Sequence, residues 1–120
     1  MRTIRNRTDN VKPMLRFALF SVFAFAVAAP ALADDPSYTI AIKDHQFVPS
    51  DLAIPAGVKV KLLVRNEGAT TSEFESIALH REKIVTAGGE ITVFIGPLDP
   101  GSYEFFDDFH PETRGHVVAK

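Results

Sequence analysis

From Tyr38 to the C-terminus, apolar and polar residues alternate in short runs separated by turn residues. Val58, Val60, Leu62 and Val64 fall on one face of such a run, with Lys59, Lys61 and Arg65 between and beyond them. Segments 38–42 and 91–95 repeat the pattern, and 52–54, 73–79, 83–85, 103–106 and 115–119 add shorter apolar-rich pieces. A period of two marks strands with one face in a core and the other in water. Pro55-Ala56-Gly57, Asn66-Glu67-Gly68, Ala87-Gly88-Gly89 and the Gly/Pro-rich stretch 96–101 punctuate the runs as turns. About eight short strands with no sustained helical periodicity predict one all-β domain, a Greek-key β-sandwich with antiparallel pairing. Phe74, Tyr38, Phe47, Phe94, Tyr103 and Phe105 are the expected aromatic core, and Phe106 and Phe109 an apolar rim.

The first 33 residues follow a different rule. Arg2, Arg5, Arg7, Lys12 and Arg16 precede a run from 17 to 28 that is apolar except for Ser21, and Ala31-Leu32-Ala33 is an A-x-A site. That is the pattern of a secretory signal peptide, and its apolar run is too short to span a bilayer. No cysteine is available for a lipid anchor and no Arg-Arg pair is present, so the expected product is an exported, unanchored periplasmic domain of residues 34–120.

Removing the leader changes the chemistry. It takes five of the thirteen cations and one of the fifteen acids, moving the formal charge from −2 to −6. An acidic surface of this kind disfavours nucleic acid as a partner. The chain has no cysteine, and both methionines, Met1 and Met14, lie in the leader. The exported domain is therefore free of sulfur, and any metal site must use imidazole, carboxylate, phenol or backbone oxygen. No G-x-S-x-G or other hydrolase arrangement is present.

The densest chemistry is in Tyr103-Glu104-Phe105-Phe106-Asp107-Asp108-Phe109-His110-Pro111, an aromatic strand that delivers two carboxylates and an imidazole to its end. Such a set suits Cu, Fe or Zn ions. The alternative is that Asp107 and Asp108 cap the turn at 111–113. Alternation places Asp108 on the opposite strand face from Asp107. Glu73 and Glu75 share one strand face, with Phe74 on the other. They repel unless a cation or a basic cross-strand neighbour compensates, which leaves a hard-metal face or a solvated face opposite Lys or Arg.

Three ordered segments resemble the cupredoxin family. They are Phe47-Val48-Pro49-Ser50-Asp51-Leu52 running on to Gly57 and Val60; Val64-Arg65-Asn66-Glu67-Gly68 followed by Ser72-Glu73-Phe74-Glu75; and Pro100-Gly101-Ser102-Tyr103-Glu104-Phe105 running through Asp107 and His110 to Gly115-His116-Val117-Val118. Aligned without gaps, the blue-copper ligand positions fall at Ser72, Asp107, His110 and near Thr113, so one of four ligands survives and a type 1 thiolate site is excluded. Ser72-Glu73-Phe74-Glu75, Arg81-Glu82 and the Pro100-Gly101-x-Tyr103 motif are similar to the cupredoxin-like domain of EfeO-type iron-uptake proteins. They are closer to the small periplasmic cupredoxins that accompany bacterial ferrous-iron permeases.

That resemblance implies a copper and/or iron ion held by His45, Glu73, Glu75, Asp107 and His110. It also implies a membrane iron permease and other periplasmic iron-uptake components as partners, with a role in Fe(II) oxidation or transfer. A copper-binding or copper-delivery protein using the same residues, and a metal-free β-sandwich adaptor, stand as the alternatives. Asp108, His80 and His116 are left without an assigned role.

Overall fold

The computed structural model describes residues 24–30 and 33–120, so residues 1–23, 31 and 32 of the expected leader lie outside the described residues. Nine strands follow: β1 (Ser37–Lys43), β2 (Gln46–Val48), β3 (Asp51–Ile54), β4 (Val60–Asn66), β5 (Ser72–Ser76), β6 (Arg81–Val85), β7 (Glu90–Ile95), β8 (Gly101–Asp107) and β9 (His110–Ala119). They form a four-stranded sheet in the order β2-β1-β4-β7 and a five-stranded sheet in the order β3-β9-β8-β5-β6. The pairing is mixed rather than antiparallel throughout: β1 runs parallel to β4, and β3 parallel to β9. Alternation along a strand fixes which face is buried but carries no information on the direction of its neighbour.

The alternating side chains close the space between the sheets. Ile40, Val60, Leu62, Val64, Phe74, Phe105 and Val117 are fully buried. Phe105 is the hub: Phe47 meets it edge-on at 4.8 Å between centroids and Phe74 lies 5.3 Å away. Each such ring contributes roughly 1.5–3 kcal/mol by burial. Gly115 on β9 has no room for a side chain, because a Cβ there would collide with the Ser50 carbonyl and the Phe105 ring.

Three expectations shift. Segment 73–79 is not one strand: β5 stops at Ser76, whose Oγ donates to the Glu104 carbonyl and accepts the Leu79 N–H, starting a turn. Tyr38 and Tyr103 are only partly buried against the core. Phe94 is not core at all; it is 45% exposed, out of phase with buried Val93 and Ile95, and lies under the Lys59 ammonium.

The open edges of the two sheets meet at β6 and β7. Arg81 and Lys83 alternate with outward-facing Glu82 and Ile84 and reach across the gap. Arg81 Nε donates to the Phe94 carbonyl at 2.9 Å, and Lys83 Nζ to the Thr92 carbonyl at 3.1 Å. No helix among the described residues is long and apolar enough to cross a membrane.

Candidate metal centre

Asp107 ends β8 on the inner face, following Phe105 by two, and is 2% exposed. Register breaks here: Phe106 pairs with Arg114, but Asp107 pairs with His110, so residues 111–113 bulge out of the β8/β9 ladder. The Asp107 carboxylate ties the surrounding chain together. Its Oδ1 accepts the N–H of Glu73 and the N–H of Phe109, each at 3.0 Å, and its Oδ2 lies 3.2 Å from His110 Nδ1. Burial pushes this carboxyl up, but the Glu73 N–H, the Ser72 hydroxyl, His110 and the Phe109 N–H outweigh it and hold it below the usual range. Residues 111–113 belong to β9, so the turn that the Asp107 carboxylate caps is the one at Asp108 and Phe109 rather than the one expected at 111–113.

His45 arrives from the far side of the sandwich. Asp44 and His45 form the two-residue turn between β1 and β2, both with positive φ (50° and 56°). Such a turn matches the twist of a hairpin, and Asp and His tolerate it better than most side chains. The bulged β9 segment then fastens it: buried Thr113 donates its hydroxyl to the His45 carbonyl at 2.7 Å. The result is an imidazole pair, His45 and His110, with ring centroids 4.9 Å apart. A cleft of about 290 Å³ lined by Asp44, His45, Thr70 and Ser72 opens on one side of His45.

A second group occupies the outer face of the five-stranded sheet. Glu73, Glu75 and Asp108 bring one carboxylate oxygen each within 4.8 Å of one another. The residue opposite Glu75 on β6 is Glu82, not a lysine or arginine, so the pairing adds charge rather than cancelling it. A hydrogen bond with Glu82, burial, and the charges of Glu82, Asp108 and Glu75 together push the Glu73 carboxyl up to about 7. Burial and the charges of Asp108 and Glu82 raise Glu75 as well.

The five residues nominated from sequence therefore gather as two adjoining groups rather than one. His45, Asp107 and His110 form the first; Glu73 and Glu75 belong to the second, and Asp108, facing away from Asp107, joins them. The groups share a backbone clamp, since the Asp108 N–H donates to the Glu73 carbonyl at 3.0 Å while the Glu73 N–H donates to Asp107. His80 sits in a left-handed turn after β5. His116 is engaged elsewhere, with Nδ1 3.2 Å from Asp51 and Nε2 3.8 Å from Glu104. Sequence reasoning gave no part to Thr113 as the tether of His45, to Ser72 as a donor to Asp107, or to Glu82 in the carboxylate group. Glu82 entered only through the Arg81-Glu82 resemblance and lay outside the strand expected at 83–85, whereas β6 begins at Arg81 and sets Glu82 opposite Glu75.

A two-sheet sandwich with histidines and carboxylates at its loop end and no cysteine anywhere is a cupredoxin architecture without a type 1 copper site. The chain belongs to the cupredoxin-like domain family, whose model matches residues 15–119. The uncharacterized protein RP394 of Rickettsia prowazekii (strain Madrid E) is 38% identical over 118 residues, covering 96% of this chain and 94% of that one. The iron uptake system component EfeO of Yersinia pseudotuberculosis serotype I (strain IP32953) is 34% identical over 108 residues, which is 88% of this chain but 28% of EfeO. Among solved structures, auracyanin A, a "blue" copper protein from Chloroflexus aurantiacus, superposes with a TM-score of 0.62 at 15% identity, covering 72% of this chain and 100% of auracyanin. Amicyanin from Paracoccus versutus gives 0.57 at 18% identity over 76% of this chain and 86% of amicyanin. At these identities the likeness is one of fold.

Proposed function

We propose that this is an exported metal-binding accessory protein of a ferrous-iron uptake system, working in the periplasm beside a membrane permease. The observation that carries the reading is a paired donor set: two imidazoles at one end of the sandwich, His110 backed by Asp107, and an adjoining carboxylate group on the outer face of the five-stranded sheet. The relation to EfeO supports iron as the cargo. Imidazole nitrogen suits Cu(II) and iron alike, while oxygen-only groups suit hard cations, Fe(III) among them. A Cu(II) ion at the imidazoles would accept the electron that Fe(II) gives up, yielding Cu(I) and Fe(III).

The residues divide the work accordingly. His45 and His110 supply the nitrogen donors, and the Asp107 and Thr113 contacts hold them in place. Glu73, Glu75 and Asp108, with Glu82 beside them, attract and hold a cation whose charge relieves their repulsion. The leader is removed after Ala33, so the intact mass of the exported protein corresponds to a chain beginning at Asp34.

Calorimetric titration with Cu(II), and with Fe(II) under anaerobic conditions, tests the function, followed by oxygen-dependent Fe(II) oxidation. Binding of both ions is the expected result. Copper binding with no affinity for iron supports copper delivery instead, and binding of neither ion supports a metal-free adaptor.

A further inference from the structure

Both walls of the cleft beside His45 are fastened by buried polar groups. On one side stands Asn66, which is 1% exposed. Its Nδ2 donates to the Thr70 and Val85 carbonyls at 2.7 and 3.1 Å, and its Oδ1 accepts the Gly68 N–H at 2.9 Å, so the 67–71 loop is pinned. On the other side the Thr113 hydroxyl holds the Asp44-His45 turn. His45 itself is exposed, and a second hollow of about 450 Å³, lined by Gln46, Ser50 and Thr113, also borders it.

The imidazole pair is also short of donors. His45 and His110 supply one ring nitrogen each. Asp107 adds at most one oxygen, because Oδ1 already accepts two backbone N–H groups and the side chain is 2% exposed. The carboxylate group is the one place among the described residues where three His, Asp or Glu side chains bring ligand atoms within 4.8 Å of one another. A tetragonal Cu(II) ion takes more donors than the pair offers, and iron sites built on two histidines and a carboxylate likewise keep positions open.

We infer that the imidazole pair is an open site, completed from outside the chain by a small neutral nitrogen donor that enters through the cleft beside His45. Charge and size select the class of ligand. Asp44 and Glu67 line the cleft, and the domain without its leader carries a formal charge of −6, so an entering anion is repelled. A volume of about 290 Å³ admits a single small ring and excludes anything much larger. An imidazole meets both limits. The inference rests on the metal-binding function proposed above and adds to it the ligand that completes the site.

Electron paramagnetic resonance of the Cu(II)-loaded protein tests this, with unlabelled imidazole, ¹⁵N-imidazole and azide as the probes. Imidazole should produce a saturable change in the signal while the copper stays on the protein, and the ¹⁵N label should alter the nitrogen superhyperfine pattern. Ala69→Trp, at an exposed position of the cleft wall, should lower imidazole affinity about tenfold and leave Cu(II) affinity unchanged. Glu67→Gln should strengthen azide binding and leave imidazole binding as it was. A signal that imidazole leaves untouched until copper is stripped from the protein overturns the inference and leaves the proposed function standing. So does an Ala69→Trp variant that binds imidazole like the wild type, or an azide affinity indifferent to Glu67→Gln. Failure to bind Cu(II) at all overturns the proposed function and the inference together.

Discussion

At the scale of single residues, the candidate centre depends on one hydroxyl that touches neither imidazole. Thr113 reaches from the bulged start of β9 to the His45 carbonyl and fixes a left-handed hairpin turn next to His110. Thr113→Val keeps the shape and removes the donor, leaving a carbonyl without its partner at a cost of about 1–2 kcal/mol. Thermal unfolding should shift down accordingly, and Cu(II) affinity should fall because His45 is no longer held; unchanged affinity would mean that the tether is structural only. The Asp107–His110 pair was legible in the sequence, since three residues across a turn bring two side chains together. His45 lies 65 positions away from His110, and its placement beside that residue follows from sheet order, which spacing does not encode. Thr113 was invisible as a tether for the same reason.

At the scale of elements, the β6–β7 seam is where an edge strand of each sheet lies beside one of the other. Each of these strands has one paired edge and one open edge, and an open edge invites another strand to add. Arg81 and Lys83 are inward-pointing charges on β6 that occupy the outward carbonyls of β7 at Phe94 and Thr92. The double variant Arg81→Ala/Lys83→Ala should therefore associate with rising concentration in sedimentation experiments, with amide-exchange protection gained along β7. A variant that stays monomeric at all concentrations would show that the caps have no such part. The alternation that predicted these strands was sound for β1, β4 and β7, where Ile40, Leu62, Val64 and Val93 are buried as their phase requires. It failed where composition was allowed to override phase: Phe94 is aromatic, yet its position between Val93 and Ile95 already placed it on the outer face.

At the scale of the whole molecule, the two groups give opposite pH dependences. The Asp107 carboxyl is held below its ordinary value, so it stabilises the fold above that value and the benefit is lost as pH falls through the lowered one. Glu73 behaves in the reverse sense. Its pKa rises on folding from 4.5 to about 7, so the folded state favours the protonated form and stability declines as pH climbs across that interval. Denaturant unfolding of the metal-free protein should therefore weaken between about pH 4.5 and 7, and Glu73→Gln should flatten that decline. A bound cation should restore stability most at the upper end, where the carboxylates are charged.

The central claim is that the imidazole pair at the loop end binds a redox metal without sulfur. The electron paramagnetic resonance spectrum of the Cu(II)-loaded protein tests it most directly. The account predicts a tetragonal signal with nitrogen superhyperfine structure, lost in the His45→Ala/His110→Ala double variant. It also predicts none of the intense visible absorption of a copper–thiolate bond. A spectrum unchanged in the double variant would place the copper elsewhere and contradict the account.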